Sequence, residues 1–368
     1  MSGDRGAKAR FWTDFDGRMT GVMLAIAVLG LLQIYSATHN SDLAAAFPQQ
    51  CTWLAVGLVA YVAVSNADYH NLVALSPWMW AVIVLLLVYV LAFADPINGA
   101  RRWLVLPIGA SVQVSEMAKV VLLLVVARYC GGFVAGKVRA RDVVPVIPLF
   151  FAVFLLVILQ PDLSTALSLL PLLAMALFLS KIRKRYFAIA GLLMALLALL
   201  AWSTLKPYQK DRIMGFRGPS EAPLSSGYQI LQAKIAVGAG GLWGQGLGQG
   251  SQTQLRFLPA AHTDFVLASF AEERGFAGVA VIVSLYMWLL WRITDTARKA
   301  REPEGMLIAM GVAALLLFHL LVNGGMVANL LPVTGLPLPL MSYGGSNLLA
   351  AMAMLGMVNS VRIRRFVN

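Results

Sequence analysis

Ser76 to Ala94 reads SPWMWAVIVLLLVYVLAFA, nineteen residues without one charged side chain. The apolar residues do not alternate, which excludes a barrel strand of about ten residues with period two. As a helix rising ~1.5 Å per residue, the stretch matches the ~30 Å hydrocarbon core of a bilayer. The rest of the chain follows suit. Of its 368 residues, 59% are hydrophobic and 12% charged, about half the charged fraction of a soluble domain. Ten apolar segments fit spanning helices, at about 19–38, 51–65, 76–94, 114–130, 143–160, 163–180, 186–204, 264–292, 305–330 and 344–361. The expected fold class is an all-α integral membrane protein with ten transmembrane helices, one polytopic domain over residues 1–368.

The net charge of +12 would suggest nucleic acid in a soluble chain. Here most Lys and Arg flank apolar segments, so they read as topology signals and no nucleic-acid partner is expected. Arg5, Lys8, Arg10 and Arg18, the runs GKVRAR, KIRKR and RKAR, and the final RIRR all fall on one side. The opposite short loops, 39–50, 161–162 and 331–343, carry no Lys or Arg. Both termini are therefore expected in the cytoplasm. Cys51 and Cys130 are then expected on opposite sides, so no disulfide between them is expected, and the N-terminus is not expected to be a removable signal peptide.

Two external loops break the charge rule, 95–113 and the long 205–263. Within the second, GYQILQAKIAVGAGG is too short and polar to span and reads as an interfacial or re-entrant helix. The following GLWGQGLGQGSQTQ lacks the Lys-Ser/Thr of a phosphate-binding loop and is expected to be a tightly turned loop.

Five acids are embedded or interfacial: Glu116, Asp162, Asp264, Glu272 and Glu273. Each is costly near lipid unless paired or wetted, so each is a candidate for function or for pairing. Glu116 and Lys119, three apart, share a helix face and read as an ion pair beside a polar cavity. Glu272, Glu273 and Arg274 read as a structural charge network about two turns inside the eighth span. Asp264, with His262 and Thr263 before it, sits at the external end of that span. An acid in a first helical turn has an ordinary role opposite the helix dipole; a carboxylate at this boundary also suits a general base. Arg101, Arg102, Lys206, Lys210, Arg212, Arg217, Lys234 and Arg256 are all external, and there they suit an anionic headgroup such as a pyrophosphate. Trp103 is a membrane anchor or a stacking platform for a sugar. LLPVTGLPLPLMSYGGSN, 330–347 and including Ser342, is non-helical backbone at membrane depth, tolerated only where it packs in protein or lines a cavity.

Together GARRWLVLP, QVSEMAKVVLLL, QPDLSTA, the run from GYQILQAKIAVGAGG to HTDF, and LLPVTGLPLPLMSYGGSN resemble the SEDS family (shape, elongation, division and sporulation). The GSQTQLRFLP…HTDF run is more similar to its rod-shape branch, the RodA type, than to its division branch, the FtsW type. Ala260, Ala271 and Ser164 depart from commoner family residues. The resemblance implies a peptidoglycan glycosyltransferase that polymerises lipid II on the outer side of the bacterial inner membrane during elongation. It implies Asp264 as catalytic residue. Trp103, Arg101, Arg102, Glu116, Lys119, Asp162, Lys234, Arg256, His262, Thr263 and Ser342 follow as substrate-binding or cavity positions. A divalent cation (Mg or Mn) or external Arg and Lys would offset the leaving pyrophosphate; no organic cofactor is implied. The implied partners are lipid II, undecaprenyl-linked glycan and a class B penicillin-binding protein carrying the transpeptidase. A lipid II flippase and a non-catalytic scaffold for such a partner are the alternative readings.

Overall fold

A computed structural model of the chain describes residues 15–39, 41–95, 101–105, 111–134, 145–179 and 226–366. In chain order the helices are α1 (Gly17–Thr38), α2 (Ala46–Asn66), α3 (Tyr69–Phe93), α4 (Val114–Val134), α5 (Val146–Leu159), α6 (Leu163–Leu179), α7 (Ser226–Gly240), α8 (Ser251–Gln254), α9 (Val266–Lys299), α10 (Pro303–Val327) and α11 (Gly345–Ile363). Strands β1 (Trp103–Val105) and β2 (Ser111–Gln113) pair antiparallel between α3 and α4, with Trp103 opposite Gln113. Among the described residues six helices, α1, α2, α3, α9, α10 and α11, are long and apolar enough to cross a membrane, and α5 and α6 are shorter apolar helices. The protein is a multi-pass helical membrane protein. The seventh predicted span, 186–204, lies outside the described residues, as do Lys206, Lys210, Arg212 and Arg217.

Burial sorts the helices. α4 is the central one, with every residue from Val121 to Ala127 buried. α2 and α3 instead leave Val59 71%, Trp78 75% and Leu85 69% exposed, apolar side chains that suit a hydrocarbon solvent.

One end of the bundle is tied by charge. Asp16 caps α1 by accepting from the Met19 N–H at 3.1 Å. It also takes a two-pronged bond from Arg292 near the end of α9, at 2.7 and 2.8 Å, and pairs with Arg362 of α11 at 3.3 Å. Asp68, before α3, caps the His70 N–H, and the His70 ring bridges Asp68 to Glu302, before α10, at 2.7 and 2.9 Å. The starts of α1, α3 and α10 thus share this charged end with the finishes of α9 and α11, the alternation expected of successive spans. The opposite, loop end gathers 41–45, the two hairpin strands, 161–162 and 241–258, and from it 259–265 and 328–344 reach down into the bundle.

Two elements differ from the sequence expectation. The hairpin was read as plain loop. The eighth predicted span, 264–292, begins instead at Val266 and is not one helix, because Gly275 has φ 65 and ψ −168 and breaks it.

Candidate functional site

The break at Gly275 organises the loop end. It divides α9 into 266–274 and 276–299, and the second part, about 36 Å at ~1.5 Å per residue, is long enough to span alone. A helix end leaves N–H and C=O groups unpaired, and the glycine-rich loop supplies their partners. The Phe276 and Ala277 N–H groups donate to the Gly241 and Leu242 carbonyls at 2.9 and 3.0 Å. Gln245 and Gly246 in turn donate to the Glu272 and Glu273 carbonyls, both at 3.0 Å. A Cβ on Gly244 would sit 2.2 Å from the Glu273 carbonyl oxygen, so only glycine allows this approach. The run expected to be a turned loop is the plug of a broken helix.

The carboxylates of Glu272 and Glu273 serve the same plug, not a charge network with Arg274. Glu272 accepts from the Gln252 and Thr253 N–H groups and the Thr253 hydroxyl at 2.7, 3.1 and 2.7 Å, capping α8. Glu273 accepts from the Ser36 hydroxyl at 2.5 Å. The Arg274 Nε is buried without a hydrogen-bond partner.

Contacts along α1 set the depth of each piece, and they reverse the expected order. Glu273 meets Ser36, near the loop end of α1; Ser269 meets Gln33 at 3.3 Å, one turn deeper. Gly30, deeper still, faces Met341, whose carbonyl oxygen would be 2.5 Å from an added Cβ. The next residue, Ser342, donates to the Thr263 carbonyl at 2.6 Å. The short helix therefore climbs toward the loop end as the chain runs from 266 to 274. The expectation placed Glu272 and Glu273 two turns inside Asp264; Asp264 is at the deeper end.

Asp264 is half-buried in the turn before α9, and the N-cap position belongs to Phe265, which makes no side-chain capping bond. The expected first-turn dipole role is thus displaced by a held turn. The Asn323 amide, fully buried in α10, donates to the Asp264 carbonyl at 2.8 Å and the Leu336 carbonyl at 3.0 Å. The Tyr343 N–H donates to the His262 carbonyl at 2.9 Å, and the two rings lie 5.6 Å apart. Gln50 of α2 donates to the Ser342 carbonyl at 3.2 Å. Burial pushes the His262 ring below its ordinary pKa, and burial pushes the Tyr343 hydroxyl up. His262 is therefore neutral at pH 7, and Tyr343 stays a phenol that donates to Gln49 at 2.7 Å.

A second group surrounds Asp162, which caps α6 by accepting from the Thr165 N–H at 3.2 Å. It also accepts from Gln113 at 2.6 Å and Ser115 at 3.3 Å, and pairs with Arg102 at 3.7 Å. Gln113 is the β-register partner of Trp103, which ties Asp162 to that strand pair. Beneath lies the buried Glu116–Lys119 pair at 2.8 Å, as the three-residue spacing predicts. Lys119 also reaches the His319 Nε2 at 3.4 Å, whose Nδ1 lies 2.9 Å from the Pro337 carbonyl. The loop 331–344 joins the two groups: Ser164 donates to the Thr334 carbonyl, and Asn323 holds Leu336 beside Asp264.

The structure thus brings His262, Thr263, Asp264 and Ser342 into one cluster, and Arg102, Trp103, Glu116, Lys119 and Asp162 around a neighbouring one. It does not bring Lys234, Arg256 or Arg101 into either by a direct bond. Lys234 is exposed on α7, Arg256 pairs with Asp42 at 3.4 Å, and Arg101 donates to the Ala92 carbonyl at 3.2 Å. Asn323, His319, Gln50 and Gln113 were not singled out from sequence. For Asn323, His319 and Gln50 the signal available was a lone amide or imidazole inside an apolar helix; Gln113, in β2, carried none.

Residues 18–366 match the profile of the family described as Cell cycle protein, covering FtsW, RodA and SpoVE. The chain belongs to the FtsW/RodA/SpoVE family. It is 37% identical over 365 residues to the Escherichia coli K12 peptidoglycan glycosyltransferase MrdB, covering 98% of each chain. It is 30% identical to the Treponema pallidum peptidoglycan glycosyltransferase RodA, over 96% of this chain and 98% of that one. Two solved structures share the fold. One is a chain from a peptidoglycan synthase complex that coordinates polymerization and crosslinking, at 32% identity, TM-score 0.82, and 96% and 99% coverage. The other is the Thermus thermophilus rod shape determining protein RodA, at 30% identity, TM-score 0.72, and 96% and 98% coverage. Relatives carrying the RodA and MrdB names support the RodA-type branch, and relatives named FtsW also match.

Proposed function

We propose that this protein, a peptidoglycan glycosyltransferase of the RodA type, polymerises lipid II with Asp264 as general base. The observation that carries the assignment is the clamp on Asp264. Two buried side chains, Asn323 and Ser342, hold its turn through backbone carbonyls while Asp264 itself is only half-buried. A carboxylate on a fixed turn, at the boundary of the bundle, suits proton abstraction from a bound hydroxyl.

In the proposed step the GlcNAc O4 of one lipid-linked molecule loses its proton to the Asp264 carboxylate. O4 bonds to the anomeric carbon of the donor MurNAc, and the bond from that carbon to the pyrophosphate oxygen breaks with its electron pair. The product is an inverted β-1,4 linkage and undecaprenyl pyrophosphate. Arg102, with Trp103 beside it, and the exposed Arg101, Lys234 and Arg256 are the cations offered to the pyrophosphate. Among the described residues no group of three or more His, Cys, Asp or Glu could hold a metal. A divalent cation, Mg or Mn, would then be held as Mg commonly is, by one or two carboxylates together with the pyrophosphate of the substrate, whose charge it would offset; no step runs through one.

The reading includes ten spans, with 186–204 as the seventh, both termini in the cytoplasm of the bacterial inner membrane, and the loop end facing outward. Its partner is a class B penicillin-binding protein; the solved relative from a synthase complex supports this. The broken α9 is the one feature that favours a lipid II flippase, since transporters use interrupted helices. The protein with its partner, supplied with lipid II, separates the readings. Polymer from wild type but not from Asp264→Asn supports the polymerase. Lipid II transfer across vesicles with no polymer from either would support the flippase, and equal polymer from both would support the scaffold.

A further inference from the structure

The observation lies far from Asp264, at the charged end of α3. Pro77 sits inside this helix and has no N–H, so the carbonyl four residues earlier, Val73, loses its helical partner. Arg128 of α4 takes it up: its Nη1 donates to the Val73 carbonyl at 3.2 Å and the Ala74 carbonyl at 2.9 Å. Both carbonyls are about one turn from the start of α3, which is the depth of a headgroup boundary. Directly beyond them, toward the bilayer centre, a cavity of about 320 Å³ opens. Its walls are Pro77, Trp78, Trp80, Ala81, Val125 and Tyr129, with Leu149 of α5. The Trp80 indole is held by the Leu149 carbonyl at 3.0 Å, so the groove is braced rather than collapsed. Trp78, 75% exposed, forms its lipid-side rim.

We propose that this groove binds one anionic glycerophospholipid of the adjacent leaflet, its phosphate on Arg128 and an acyl chain along Trp78, Ala81 and Val125. Three features select that occupant. Arg128 is exposed, and its Nε and Nη2 have no protein partner among the described residues. Glu304 of α10 feels its charge without forming an ion pair with it. A cation at lipid depth with donors to spare is satisfied by a phosphate, which accepts two N–H groups side by side. The walls offer apolar and aromatic surface of the kind that takes a chain. Finally, the eleven residues joining α4 to α5 carry Lys137, Arg139 and Arg141 against Asp142, a juxtamembrane excess that draws anionic lipid to this side. Neither the reaction nor the Asp264 assignment enters this reasoning.

Native mass spectrometry of the purified full chain tests the site, with phosphatidylglycerol or phosphatidylcholine of equal chain length added in a mild detergent. Wild type should retain one phosphatidylglycerol in preference to phosphatidylcholine. Arg128→Gln should lower that retention about 5-fold, the fold-change one charge is worth at an anionic membrane surface. Ala81→Phe, which fills the groove and leaves the arginine in place, should lower it too. Because Arg128 also covers freed carbonyls, Arg128→Gln is scored only with a monodisperse elution profile; Ala81→Phe and the wild-type selectivity carry the test without it. Equal retention of the two lipids by wild type, or undiminished phosphatidylglycerol on Ala81→Phe, overturns the proposal.

Discussion

Replacing Asn323 by alanine tests whether the Asp264 turn is held by design. The Asn323 amide is fully buried and both its N–H bonds end on carbonyls, at 2.8 Å to Asp264 and 3.0 Å to Leu336. Removing the donor strands the buried Leu336 carbonyl, at ~1 to 3 kcal/mol, and the part-buried Asp264 carbonyl, at the lower end of that range. The Asn323 Oδ1, buried without a partner, leaves with the same substitution and returns a share of this. The expected net loss is ~2 to 3 kcal/mol of stability. The larger effect is on geometry, since a shift of about 1 Å at a catalytic group can cost ~100-fold in rate. Glycan polymerisation from lipid II should therefore show kcat reduced by ~10 to 100-fold with KM changed little. Asn323→Leu keeps the volume and lacks the donors, so it should resemble alanine. A leucine variant with wild-type kcat and melting temperature would refute the clamp.

Three further outcomes follow from the same geometry. Gly275→Ala should yield little folded protein, because φ 65 is strained for alanine and its Cβ would lie 2.4 Å from the Gly244 nitrogen. Gly238→Ala, with nothing within 4 Å, should be neutral or slightly stabilising by thermal melting. Glu272→Ala strands the donors at 252 and 253 and should lower the melting temperature more than Glu273→Gln, which retains an acceptor for Ser36. For His262, burial lowers the folded pKa beneath the unfolded value of ~6.5. The unfolded state then binds the extra proton, so stability is lost as pH falls through ~6.5 toward the folded pKa. Melting curves of wild type minus His262→Gln should show that loss between about pH 7.5 and 5.5, and a flat difference would count against a desolvated ring.

How much of this the chain discloses depends on the range of the interaction. Spanning helices are legible because each needs only its own apolar run, as at 76–94. The Glu116–Lys119 pair is legible because three residues on a helix fix a shared face. The hairpin was not, since three-residue strands carry too little alternation to register. Nor was the break in α9: a lone glycine between helix-forming residues reads as continuous helix unless the loop that plugs it, some thirty residues earlier, is known to return. That plug also decides the partners of Glu272 and Glu273, which sequence assigned to the adjacent Arg274. Asp264 is singled out in the sequence by its type and boundary position, but its depth and its clamp rest on α1, α10 and the 331–344 loop. Asn323 carries no local signal beyond being an amide among apolar neighbours.

The central claim is that Asp264 takes the proton of the attacking hydroxyl. Its most direct test is Asp264→Asn in complex with the proposed class B penicillin-binding protein, measuring lipid II binding and single-turnover polymerisation on one preparation. The account predicts binding within about 3-fold of wild type and a polymerisation rate lower by ~100-fold or more, the usual scale of a lost general base. A normal rate at normal binding would contradict it.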